Sequence, residues 1–248
     1  MNKVKLIGVV KASVITALLC ICISCQSFSG SDEVIKGNGT IETKTFPQNN
    51  FNALSISGGW TADIRYSETF SIQIETDENI FSDLDISVAG TTLNIGFKSG
   101  YSISPTQCKV SITMPALIKL QTVGSLTAVI SSFNMPKDSM SIDISGSGNI
   151  TARDITVNTL KVDVSGSADF SATGKAKNII ADVSGSGDIK TTDFETEKAD
   201  ISISGSGSAK VWVTRHLKAD IGASGSVRYK GNPVIETKSS GNGRISSL

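Results

Sequence analysis

The chain has 248 residues and a formal net charge of zero, with 23 Lys and Arg balancing 23 Asp and Glu and no long run of either sign. That balance excludes the basic footprint of a nucleic-acid binder. Aromatics make up only 6% of the residues while Gly, Ser, Thr, Ile and Val abound, a composition for short β-branched strands and tight turns, and all-β chains of this length commonly form one domain.

Residues 1–24 read as a signal peptide. Lys3, Lys5 and Lys11 precede an apolar stretch, Ala12 to Ser24, that is short for a bilayer span. Cys20 follows Leu19 and Cys22 follows Ile21, whereas Cys25 follows the small residue Ser24. This arrangement resembles a bacterial lipoprotein signal and predicts lipidation at Cys25, which would anchor the chain to the outer membrane, on either its periplasmic or its cell-surface side, without spanning it. Residues 25–36 are polar and read as the lipidated Cys and a flexible tether. After processing Cys108 is the one remaining thiol, so no intramolecular disulfide is available; it shares parity with Val110, Ile112 and Met114 and reads as a small buried hydrophobe.

Residues 37–248 are expected to form one domain. From Gly37 to about Leu120 short runs of alternating polarity read as strands with no obvious repeat length. Asp77 is expected to cap one helical turn after it, and the stretch from Ala89 to Thr92 to turn a hairpin between Leu84 to Val88 and Leu93 to Phe97. The segment beginning at Ser55, SISGGWTADI, resembles SISGSGSAKV at Ser202, so the repeat that dominates the second half starts earlier than its clearest copies.

That repeat is clearest over residues 141–248. SGSG or a close variant recurs at Ser145, Ser165, Ser184, Ser204, Ser224 and Ser240, at a period of about twenty residues. Aligned on these serines, Ile144, Val164, Val183, Ile203 and Ala223 form one apolar column. Ile142, Val162, Ala181, Ile201 and Ile221 form a second. Between them Asp143, Asp163, Asp182, Ser202 and Gly222 face outward. Gly146, Gly166, Gly185, Gly205 and Gly225 are expected to turn a corner where the backbone takes positive φ or touches the next coil. Beyond it Ile150, Phe170, Ile189, Ala209 and Tyr229 point inward. Stacked at strand spacing, such coils predict an all-β, single-stranded parallel β-helix, right-handed by the general rule for parallel crossovers, with a less regular β-rich N-terminal part. Thr237 and Ser239 put polar groups at core positions of the last coil, as a protected end requires.

The lipoprotein-like leader, the SGG segment and the serial SGSG(D/N)I coils resemble the putative auto-transporter adhesin head, or GIN, domain family of Bacteroidetes envelope proteins. The resemblance spans about Gly37 to Leu248. It implies a right-handed parallel β-helix and an adhesive role, and it brings no catalytic residues.

Chemistry is to be sought on the outward columns. The SGSG glycines lack the following helix and Lys of a phosphate cradle and read as corners. Carboxylates stacked as Asp143, Asp163 and Asp182 repel one another and must be solvated, interleaved with cations or bridged by a hard metal such as calcium. Lys190, Lys210 and Lys230 are expected to form a parallel basic column. Trp60, Tyr66, Tyr101, Trp212 and Tyr229 are the aromatics available to stack on a sugar, and Trp212, outward by alternation and next to Lys210 and Arg215, is the leading ligand contact, with Lys210 and Lys190 as further candidate contacts. His216, beside Arg215 and near Lys218, has no nucleophile or orienting acid to work with. No cofactor and no nucleic-acid partner is expected. The expected function is a lipid-anchored, non-enzymatic adhesion or binding module for a glycan or protein. The alternatives are a carbohydrate-active lyase or hydrolase on the same scaffold and a structural element that self-associates as a homo-oligomer.

Overall fold

The computed structural model describes residues 34–100 and 102–248; the leader, Cys25 and most of the tether lie outside the described residues, as does Tyr101. In chain order the elements are β1 (Val34–Lys36), β2 (Ile41–Phe46), β3 (Ala53–Tyr66), β4 (Ser71–Asp77), a 3-10 helix (Glu78–Asp83), β5 (Leu84–Ala89), β6 (Thr92–Phe97), β7 (Ser102–Ser104) and β8 (Cys108–Met114). The long strands follow: β9 (Lys119–Ser131), β10 (Asn134–Gly166), β11 (Asp169–Val183), β12 (Asp188–Ile203) and β13 (Ser208–Ile221), then β14 (Ser226–Lys230), β15 (Val234–Ser239) and β16 (Arg244–Ser247).

β9 to β16 pair only in parallel, and with β3 they wind into a β-solenoid of about six turns. The long strands bend around corners while their backbone ladder continues. Ile150 pairs with Phe170, Phe170 with Ile189 and Ile189 with Ala209, and these side chains are almost wholly buried. Each coil thus adds one apolar rung to a shared core, and burying a large rung such as Phe170 stabilises the stack by roughly 1.5–3 kcal/mol.

The corner glycines work mainly by close approach. A Cβ at Gly185 would overlap the carbonyl oxygen of Gly166, and one at Gly205 that of Gly185. Gly146 and Gly166 also hold positive φ, of 132° and 147°. The column runs further toward the N-terminus than its motif: Gly124 stacks on Gly58, and β3 pairs with β9 from Ala53 through Arg65. The SGG segment is therefore the first coil, separated from the second by an inserted cap.

The final coil departs from the expected register. Asp188 pairs with Ser208 twenty residues later, but Ser208 pairs with Ser226, only eighteen residues on. Every expected neighbour in that coil slips by two: Ile203 pairs with Ile221, Val227 rather than Tyr229 continues the Ile150 column, and Gly225 packs against Gly207 instead of extending the Gly205 column. Because strand side chains alternate with period two, an even slip leaves inside and outside unchanged. Tyr229 accordingly still packs against the core, in the next column. β15 is exposed at every residue, in keeping with a polar end coil.

The cap is antiparallel. β8 runs parallel to the second half of β3, β4 antiparallel to β8, and β2 antiparallel to β4. The hairpin of β5 and β6 forms at the expected turn and covers the first half of β3. Together they close the edge that an open solenoid would expose. The helical turn after Asp77 is present, but Asp77 does not cap it. Its buried carboxylate instead accepts from the backbone of Gly39 at 2.8 Å and from the backbone and hydroxyl of Thr106, each at 2.7 Å. Burial pushes this acid up, but the Thr106 hydroxyl and the backbone donors outweigh it and hold the group below its ordinary value. The last residues of the expected flexible tether are likewise ordered: β1 pairs in parallel with β7, the β-branched Val34 and Ile35 suiting an extended strand.

Candidate functional site

Two outward faces meet at the glycine corner. On the face before it, Gln121, Asp143, Asp163, Asp182, Ser202, Asp220 and Lys238 form one row and Lys119, Ser141, Lys161, Ile180, Asp200, Lys218 and Glu236 the row beside it. The acids here are interleaved with cations. Lys119 stands 2.8 Å from Asp143, Lys161 2.7 Å from Asp163, and Lys218 2.9 Å from Asp200. Partial burial pushes Asp143 up, but Lys119, the Ser141 hydroxyl and Lys161 more than reverse it and hold Asp143 below the usual carboxylate range. Asp182 differs. Burial and then the neighbouring Asp163 raise it, with Lys161 opposing only in part. Among the described residues no three His, Cys, Asp or Glu side chains converge to hold a metal ion.

After the corner, Asn149, Asp169, Asp188, Ser208, Ser226 and Arg244 make one row. Its carboxylates bind coil to coil: Asp169 accepts from the Asp188 backbone at 3.1 Å, and Asp188 from the Ser208 backbone at 3.0 Å and hydroxyl at 2.7 Å. The next row is Thr151, Ser171, Lys190, Lys210, Arg228 and Ser246. Lys190 and Lys210 are the expected neighbours, but Arg228 takes the place expected for Lys230, a consequence of the two-residue slip. A shallow groove of about 320 Å³ runs between these two rows and includes both lysines.

Trp212 is half-buried and outward, as alternation predicts. The register shift between Thr191 and Glu195 sets it opposite Glu195, and on its other side it pairs with Lys230. The Lys230 ammonium lies 3.8 Å from the centre of the indole ring, a cation–π contact that occupies a face a sugar would need. Trp60 is buried, stacked on Phe97 at 5.5 Å and donating its ring N–H to the Ser57 carbonyl at 2.9 Å. Tyr66 is exposed. Cys108 is buried beside Thr76, and burial pushes its thiol up, which keeps it protonated and unreactive at neutral pH. His216 lies 3.8 Å from Glu236, both groups exposed.

One concavity was not foreseen. About 660 Å³ lies where the corner of β3 meets the cap, lined by Trp60, Thr61, Glu75, Gln107, Lys109 and Ser125. Gly59, Trp60 and Thr61 belong to the SGG segment, but the facing walls come from the cap, far away in the chain, where no repeat or motif marks them.

Comparison with known proteins bears on the fold and the family. No match was found among curated proteins. Among solved structures, a putative adhesin from Bacteroides fragilis is similar with a TM-score of 0.81 at 22% identity, covering 86% of this chain and 100% of its own. A putative lipid-binding protein from Parabacteroides distasonis is similar with a TM-score of 0.72 at 27% identity, covering 87% and 99%. A putative adhesin from the same species gives 0.65 at 21%, covering 87% and 100%. A family model matches residues 50–233, most of the chain, from just before β3 through β14. The chain belongs to the family described as putative auto-transporter adhesin, head GIN domain.

Proposed function

We propose that the chain is a cell-envelope protein, anchored through lipid on Cys25 to the outer membrane, whose solenoid is a non-enzymatic binding module for a glycan or protein. The observation that carries this is the geometry of the outward side chains. They rise in straight rows at one strand spacing on a rigid ladder, and most of the acids that chemistry could use are committed to lysines or to backbone N–H groups of the next coil. Catalysis needs an acid, a base or a nucleophile converging on one point. Rows serve extended recognition, in which many modest contacts add along a repeating ligand. The adhesin-like family and the neighbours named as adhesins support the same reading.

A screen of the protein against glycans and matrix proteins tests it, with the same polysaccharides checked for cleavage. Saturable binding without new reducing ends or unsaturated products is expected. Cleavage would contradict the binding-only reading, and failure to bind anything together with self-association would favour a structural element. For the anchor, Cys25→Ala should abolish incorporation of labelled lipid in the native host; retained label would overturn the site.

A further inference from the structure

The cations of the solenoid form two populations. Lys119, Lys161, Lys218 and Lys238, on the face before the corner, each approach an aspartate within 4 Å. Lys190, Lys210 and Arg228 instead stand directly over one another on the second face. Among the described residues none of the three makes an ion pair or a side-chain hydrogen bond. Like charges one strand spacing apart, about 4.8 Å, are mutually destabilising. Asp169 and Asp188 in the adjoining row direct their carboxylates to the coil that follows each of them, and neither comes within 4 Å of these cations. At the C-terminal end Arg244 adds to the positive field from the neighbouring row, and Lys230 is held in place over Trp212. The repulsion would turn into attraction in the presence of a ligand whose negative charges recur along a line.

We propose that the row Lys190, Lys210 and Arg228 binds a linear anionic polysaccharide that lies across the strands, along the stacking direction. This names the ligand class of the binding module described above and rests on that reading. The flanking chemistry selects a polysaccharide among polyanions. The same row continues as hydroxyls, Thr151 and Ser171 on one side and Ser246 on the other, and the adjoining row supplies Ser208 and Ser226, groups that pair with sugar hydroxyls. From Thr151 to Ser246 neither row carries an apolar side chain, as contact with a lipid surface would require, and the half-buried Val129 lies one coil further toward the N-terminus. Single-stranded nucleic acid needs open aromatic faces for its bases, and the indole nearest the row is covered by Lys230.

Chondroitin sulfate, with neutral dextran as control, is the probe, and its binding to the full chain in detergent is the measurement. Salt-sensitive binding of chondroitin sulfate and none of dextran is expected. The double substitution Lys210→Gln with Arg228→Gln should weaken it about a hundredfold, each lost charge-assisted contact being worth about tenfold. Lys161→Gln with Lys218→Gln, on the other face, should leave it unchanged. The Lys210/Arg228 variant should melt no lower than the parent, because it removes repulsion; a lower melting point accompanying weaker binding would overturn the assignment. So would equal weakening by both pairs, or tight binding of duplex DNA lost in the same variant. If chondroitin sulfate does not bind but the wider screen yields a neutral glycan or a protein ligand, the row is refuted and the binding module stands. If nothing binds, both fall.

Discussion

The two outward faces share one backbone ladder and one core, yet they treat charge in opposite ways. Before the corner, aspartates and lysines alternate between neighbouring rows, and most charges find a partner on the same face. After it, the carboxylates are spent on backbone donors and the cations are left stacked and unpaired. The inward side chains are under the same packing demand in every coil, so they repeat. The outward ones are free of that demand and can diverge. A face neutralised from within serves solubility and stability, whereas one that keeps like charges in register bears a cost with no return inside the fold.

Changes to the shared frame should be largest and should affect both faces together. Gly185→Ala would push a methyl group into the Gly166 carbonyl, and the coils would have to separate at a cost of about 1–3 kcal/mol. Gly59, one residue past the stacked Gly58 in the first coil and paired with Ser125, has open space around it, and Gly59→Ala should change stability by no more than about 0.5 kcal/mol. Chemical denaturation of the two variants checks the difference; equal effects would show that the corner does not depend on contact between coils.

A smaller effect of opposite sign is expected beneath the first face. Thr122 occupies the inward column between Ile56 and Ile144, and its buried hydroxyl has no hydrogen-bond partner. Thr122→Val keeps the shape and removes the unsatisfied group, and it should stabilise by about 1 kcal/mol. A loss of stability on denaturation would mean that the hydroxyl is satisfied by water.

The smallest effect separates the charges within that face. Asp182 is raised by burial and by Asp163, so its ionised form is less favourable folded than unfolded, and it costs stability above its folded value. Asp182→Asn should therefore give a small gain at neutral pH. The gain should shrink as pH falls through the raised value and vanish below the unfolded value of about 3.9, where the native acid is protonated in both states. Melting curves across that range test the sign. A gain independent of pH would contradict the assignment.

The architecture was legible because the same demands recur every coil. Ile142, Ile144 and Gly146 announce their roles by having counterparts about twenty residues later. The second coil was harder to see because it keeps only Gly124 and Ser125 of the motif, with the exposed Val123 and the buried Leu126 where the coil at Ser145 has Ser and Gly, and the cap interrupts the count between it and the first. The two-residue slip at the end arose because the SGS at Ser224 looks like the SGS at Ser204, while the ladder actually sets Ile221 against Ile203. Parity survived, so the inward columns hold as far as Ile221, but Ala223, expected to continue the Ile144 column, sits half-exposed in a bend outside the core, and Arg228 was hidden behind Lys230. The Asp77 tie to Gly39 and Thr106 and the concavity around Trp60 depend on contacts between distant segments, for which a single sequence carries no periodic signal.

The division of labour between the faces is tested most directly by amine-reactive labelling of the intact protein, read residue by residue by mass spectrometry, with and without chondroitin sulfate. The account predicts that Lys190 and Lys210 become protected while Lys161, Lys218 and Lys238 label at unchanged rates. Uniform protection of both faces, or protection confined to the first, would contradict it.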